Sequence, residues 1–214
     1  MIPLVKICGL MTSEALDAAL DAGADMVGFV FFPPSPRNLG FDAARALGRR
    51  VAGRAQKVAL TVDADDATFE SLVAALAPDL LQLHGREPPE RVAAIRRRFG
   101  IPVMKVIGVS SAEDLAALAR YEPVAERILF DAKPPKDATR PGGNGLAFDW
   151  ALIAGARIVR PWMLSGGLDA GNVAEAVRVS GAPGVDVSSG VESAPGVKDV
   201  AKIAAFVRAA KGQM

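Results

Sequence analysis

Short apolar runs alternate with longer amphipathic ones along the whole chain. Runs rich in Val, Ile, Leu and Phe stand at residues 4–8, 25–32, 57–62, 80–83, 103–107, 127–131, 162–165 and 185–187. Each reads as a short strand, and most lack the alternation of a sheet wetted on one face. Between them, apolar residues recur at helical spacing over 12–22, 42–51, 65–77, 88–99, 112–119, 149–154, 170–179 and 200–210. Leu16, Ala19 and Leu20 carry the spacing in the first helix, with Ser13 as its expected N-cap, and proline stands in the first turn of the fourth. Eight strand–helix units result. Apolar strands joined by helices imply a parallel sheet, and eight of them in 214 residues predict an α/β fold of the (β/α)8 TIM-barrel type, one closed eight-stranded sheet. A doubly wound open sheet is the alternative. It would more often carry an early G-x-G-x-x-G, where this chain reads Lys6-Ile7-Cys8-Gly9-Leu10. No linker interrupts the pattern, so residues 1–214 read as a single domain. The polar, Gly/Pro-rich stretch 132–145 is long for a barrel connection and is expected to be a functional loop.

Charge narrows the partners. With 25 basic and 24 acidic residues the net charge is +1, which gives no field toward nucleic acid or an anionic membrane surface. The Arg96-Arg97-Arg98 run closes a predicted helix, where cations suit the negative end of the dipole. One cysteine and one histidine leave no internal disulfide and no Cys/His metal cluster. The first residues do not read as a signal peptide, and no apolar run approaches the roughly 20 residues of a membrane helix. A cytoplasmic protein without a metal, acting on a small molecule as a monomer or homodimer, is the expectation.

Barrel sites lie at the C-terminal ends of the strands. There this chain delivers Cys8, the stretch Ser35-Pro36-Arg37, His84, Asp131, Ser165-Gly166-Gly167 and Asp186-Val187-Ser188-Ser189-Gly190. Gly166, Gly167, Ser188, Ser189 and Gly190, after the seventh and eighth strands, form two loops of backbone N–H donors in the place where barrels often hold phosphate. Cys8 and Asp131 are a candidate base and acid for a proton-transfer isomerisation. For that, the Cys8 pKa has to fall toward neutrality, and Lys6, on the same strand face, is the nearby cation. A buried small hydrophobe and a loop-capping carboxylate are the plainer roles for the two. Arg37, in a proline-stiffened loop, either pairs bidentately with a carboxylate or lies on the surface. His84 is expected to be structural, and Lys133 and Lys136 to be solvated.

Several of these segments together resemble the phosphoribosylanthranilate isomerase family. They are Lys6-Ile7-Cys8-Gly9-Leu10, Gly28-Phe29-Val30-Phe31 leading to Ser35-Pro36-Arg37, Gln82-Leu83-His84-Gly85, Leu129-Phe130-Asp131, Pro141-Gly142-Gly143-Asn144-Gly145 leading to Phe148-Asp149-Trp150, Leu164-Ser165-Gly166-Gly167-Leu168, and Gly184-Val185-Asp186-Val187-Ser188-Ser189-Gly190-Val191-Glu192. The resemblance implies an Amadori rearrangement of N-(5-phosphoribosyl)anthranilate, a phosphosugar substrate, without a cofactor. It implies Asp131 as general acid and Cys8 as general base. Arg37 would hold the anthranilate carboxylate and the two loops the phosphate, with Asp186, in the same pocket, also binding the substrate. Met11 and Asn144 depart from the family's usual threonines. A related barrel is the competing reading: indole-glycerol-phosphate synthase would carry catalytic lysines and a glutamate on its strands, and a histidine-pathway isomerase would carry aspartate in place of Cys8. A phosphosugar-binding barrel without chemistry is the non-enzymatic alternative.

Overall fold

A computed structural model describes residues 3–133, 142, 145 and 147–212. Eight parallel strands close into a barrel in chain order: β1 (Leu4–Cys8), β2 (Met26–Phe31), β3 (Gln56–Thr61), β4 (Leu80–Leu83), β5 (Val103–Val109), β6 (Arg127–Ala132), β7 (Trp162–Leu164) and β8 (Gly184–Val187). Closure comes from β1, which pairs β2 through Lys6↔Met26 and Cys8↔Gly28 and pairs β8 through Lys6↔Asp186. The open-sheet alternative is thereby set aside.

Two apolar layers explain the near-continuous strand hydrophobicity. Met26, Val58, Leu80, Met104, Val106, Leu129 and Met163 form one buried cluster that fills the barrel interior. Alternate strand residues face outward and pack under the helices α1 (Ser13–Asp21), α2 (Phe41–Val51), α3 (Asp66–Leu76) and α4 (Pro89–Phe99), together with the later helices. Leu16, Phe69, Leu72 and Ile95 are fully buried there, each worth roughly 1.5–3 kcal/mol of transfer free energy. One level above the interior cluster, Cys8, Val30 and Leu60 form a small group of their own.

Several local expectations shift. The N-cap of α1 is Thr12, whose hydroxyl accepts from the Ala15 N–H, and not Ser13. The fifth helix begins as a 3-10 helix, Ala112–Ala117, before the short α5 (Leu118–Tyr121). Ser111 and Asp114 form a capping box, and the Asp114 carboxylate also accepts from the N–H and hydroxyl of Ser110, which tightens this first turn. In place of the helix expected over 149–154 there is a single 3-10 turn, Trp150–Leu152, too short to repay helix nucleation. Helix α6 (Val173–Ser180) starts three residues late, because Asp169 accepts from the N–H groups of Gly171 and Asn172 and holds a turn there. Between β8 and α7 (Val200–Ala210) lies a hairpin that the strand pattern did not reveal, β9 (Glu192–Ala194) with β10 (Val197–Lys198). The arginine run at the end of α4 is a solvated helix end, with Arg96 paired to Glu126 and Arg98 to Asp66 and Glu70. Of the long 132–145 connection only its first two residues, Gly142 and Gly145 are described; Lys136 and Asn144 lie outside the described residues.

Candidate active site

At the C-terminal rim of the barrel the strand ends open into one cavity of about 810 Å³, counted with its mouth. Cys8, Arg37, His84, Asp131, Gly166, Gly167, Asp186, Ser188 and Ser189 all line it. Residues expected at the site on strand position alone therefore converge, although Cys8 and Asp186 lie 178 positions apart in the chain (186 minus 8).

Cys8 is buried, and it is set by two neighbours. Gly28 faces it across the β1–β2 ladder, and a Cβ at Gly28 would stand 2.9 Å from the Cys8 Sγ and 3.1 Å from its Cα. Gly28→Ala is accordingly expected to cost about 1–3 kcal/mol by overpacking and to displace the thiol. Urea denaturation of the variant measures that cost. The second neighbour is Lys6. Its ammonium is fully buried and donates to Asp186 Oδ1 at 2.9 Å. Burial works against the Lys6 charge, but Asp186 and Cys8 more than restore it, so its pKa lies above the ordinary lysine value.

Burial pushes the Cys8 pKa up, and Lys6 only partly offsets this. The fall toward neutrality that the base role calls for is therefore not brought about by Lys6, because burial outweighs it.

Across the cavity, Asp131 accepts from the Ala132 N–H at 2.9 Å with Oδ1. Its Oδ2 lies 3.2 Å from His84 Nε2, without the angle of a hydrogen bond. Gln82 Nε2 stands 3.4 Å from His84 Nδ1, so the imidazole sits between a buried amide and the carboxyl. Gly142, from the segment after β6, packs against both His84 and Asp131. Lys133 is solvated, as expected, and pairs with Asp114 at 2.8 Å.

Arg37 is not a surface residue. The residue is 4 % exposed, and its Nε and Nη2 donate to the two oxygens of Glu192 at 2.7 and 2.8 Å. Bidentate pairing, expected with a ligand, is made with the protein's own carboxylate; no described residue accepts from Nη1. Glu192 also accepts from Lys198 Nζ at 2.8 Å and from the Gly196 N–H. Burial opposes its charge, but Arg37 and Lys198 outweigh that and hold its pKa at about 2. Neither Glu192 nor Lys198 was among the expected site residues. The available signal was Pro195-Gly196 between Glu192 and Lys198, a turn dipeptide flanked by opposite charges.

Where the phosphate was expected, the backbone N–H groups of Gly166, Gly167, Ser189 and Gly190 donate to no other described residue. Asn172 steadies the first loop by donating to the Gly167 carbonyl at 2.9 Å. The Ser188 hydroxyl donates to the Cys8 carbonyl and accepts from Lys198. Gly190 does not line the cavity. Its Cα packs onto the Leu168 carbonyl, where a Cβ would be only 1.9 Å away, so it joins the two loops from beneath.

The chain matches the family model described as N-(5'phosphoribosyl)anthranilate (PRA) isomerase over residues 5–209. It is 65% identical over 208 residues to an N-(5'-phosphoribosyl)anthranilate isomerase of Rhodopseudomonas palustris (strain HaA2), covering 97% of this chain and 95% of that one. The same identity is found over 208 residues with the enzyme of that name from Bradyrhizobium sp. (strain ORS 278), at the same coverage. Among solved structures it is similar to phosphoribosyl anthranilate isomerase from Thermotoga maritima, with a TM-score of 0.88 and 37% identity over 98% of this chain and 99% of that one. It is also similar, with a TM-score of 0.83 and 34% identity over 98% and 99% of the two chains, to a phosphoribosyl anthranilate isomerase in complex with reduced 1-(o-carboxyphenylamino)-1-deoxyribulose 5-phosphate.

Proposed function

The chain belongs to the N-(5'-phosphoribosyl)anthranilate isomerase family, an isomerase of tryptophan biosynthesis, and we propose that Cys8 and Asp131 are the base and acid of its Amadori rearrangement. The observation that carries this reading is a single cavity with a buried thiol and a carboxyl on its wall and, at its rim, backbone donors that no other described residue engages.

The chemistry runs as follows. Asp131 gives a proton to the furanose ring oxygen, the bond from C1 to that oxygen breaks, and the lone pair of the anilino nitrogen forms the C=N of a Schiff base. The Cys8 thiolate then takes the proton from C2. The C–H electrons become a C1=C2 bond, the C=N electrons return to nitrogen, and the enolamine tautomerises to the C2 ketone. Gly166, Gly167 and Ser189 hold the phosphate through backbone N–H groups, and Arg37 holds the aromatic carboxylate through Nη1. Asp186 acts chiefly by keeping Lys6 charged beside Cys8. Residues 1–214 form one catalytic domain in this reading, cytoplasmic and either monomeric or homodimeric. A dimeric form is described for the Thermotoga maritima protein.

Lys6 and Lys198 favour the Cys8 thiolate, and Asp186 opposes it. Because burial still keeps its pKa above the ordinary thiol value, the thiolate fraction grows with every step of pH above neutrality. On this basis kcat/KM is expected to rise with pH through the neutral range, followed as loss of anthranilate fluorescence. The same limb should appear in thiolate absorbance near 240 nm, a clean signal in a protein with one cysteine. Folding stability moves the opposite way. The folded state holds this proton to higher pH than the unfolded chain, so stability falls as pH climbs from the ordinary thiol pKa toward the raised one. A flat kcat/KM profile alongside a titrating thiol would remove Cys8 from the base role.

A further inference from the structure

We infer that Glu192, carried by the β9–β10 hairpin, is a positioning residue that aims Arg37 at the substrate carboxylate and so sets the preference for a carboxylated aromatic ring. The inference rests on the reading that Arg37 binds that carboxylate.

Arg37 follows β2 on an irregular loop, tied back by the bridge Val30 with Asn38 and by short turn hydrogen bonds that fix its backbone but not its side chain. A free arginine there would sample many rotamers and would lose that freedom on binding. Glu192 removes the freedom in advance. Its two oxygens grip the Nε–Nη2 edge, which leaves Nη1 as the guanidinium nitrogen without an acceptor among the described residues. The carboxylate is itself fixed by Lys198 Nζ and the Gly196 N–H, and Lys198 is anchored on the Ser188 carbonyl at 2.8 Å. Glu192 and Lys198 belong to the hairpin, whereas Ser188 belongs to the loop after β8. Glu192 thus ties the Arg37 loop, 155 residues away, to the loop expected to hold phosphate. Such a link fixes the spacing between the two anionic ends of one ligand. With a pKa of about 2 the Glu192 carboxyl stays ionised throughout the working range, so the grip does not titrate.

A substrate carboxylate is bound in the ground state and in the transition state alike, so loss of this aim acts mainly on binding. The test measures affinity for two ligands: reduced 1-(o-carboxyphenylamino)-1-deoxyribulose 5-phosphate and its counterpart without the ring carboxylate. Glu192→Gln is expected to weaken the first about 10-fold and the second less than about 2-fold, with KM for substrate rising several times more than kcat falls. Arg37→Lys should discriminate between the ligands in the same direction and more strongly. If Glu192→Gln weakens both ligands equally, or neither, while Arg37→Lys discriminates, Glu192 does not aim Arg37. If Arg37→Lys fails to discriminate, the Arg37 assignment falls and this inference with it. Should Glu192→Gln not fold, the paired change Glu192→Gln with Lys198→Met, which leaves net charge unaltered, carries the same expectation and the same contrary outcomes.

Discussion

Cys8→Ala is expected to cut kcat by about 10²–10⁴-fold, and Asp131→Asn to do the same, while each variant still binds the reduced product analogue. The size follows from the roles. A positioned base or acid contributes on that scale, and each of the two groups serves a different bond: Cys8 the C2–H bond, Asp131 the bond between C1 and the ring oxygen. Binding should persist because neither group belongs to the expected phosphate loops or to the arginine grip. Single-turnover kinetics separate the two variants further. Asp131→Asn stalls before ring opening, so no Schiff base accumulates, whereas Cys8→Ala is blocked at deprotonation of C2. The alanine at position 8 leaves a small void under Val30 and Leu60 and adds no polar group, so the fold should survive. Turnover near the unaltered rate in either variant removes that residue from the reaction.

Asp186→Ala carries the largest expected loss of stability, about 3–5 kcal/mol, because it strands the Lys6 ammonium inside the barrel with its carboxylate partner gone. Lys6 is 0 % exposed, so water cannot replace the lost oxygen. The Cys8 thiol alone cannot satisfy an ammonium. Lys6→Met combined with Asp186→Leu removes both charges and should recover most of the loss, since a buried pair is worth little against well-packed apolar residues. The double variant is nevertheless expected to be slow. Without Lys6 and Asp186 the Cys8 thiolate loses its nearest cation, and its pKa should climb further. Urea midpoints for the two variants decide the matter: a single variant as stable as the double one would mean that the pair is not structurally coupled.

The two legible features of the site were position and chemical type. Cys8, Asp131 and the Gly166-Gly167 and Ser188-Ser189 loops sit at strand ends, and strand ends are visible as boundaries of apolar runs. Arg37 was legible as a bidentate binder but not as one whose fork is already occupied, because Glu192 lies 155 residues away and belongs to a hairpin of three and two residues. Strands that short leave almost no periodicity to read. The 3-10 segment at Ala112–Ala117 escaped for another reason: its side-chain pattern suits either helix, and the choice was made by the Asp114 carboxylate acting on neighbouring backbone.

The chain by itself determined the alternation of strand and helix, the parallel sheet and the residue types offered at its C-terminal rim. These follow from burial, since a residue's polarity records which side of an element meets water. Only the closed barrel decided which of those residues meet. Pairing β1 with β8 places Lys6 opposite Asp186 and lets the hairpin beyond β8 seize Arg37, and burial in the closed barrel pushes the Cys8 pKa up. Charge strength and proton affinity depend on desolvation and on neighbours distant in the chain, and neither is written in local pattern.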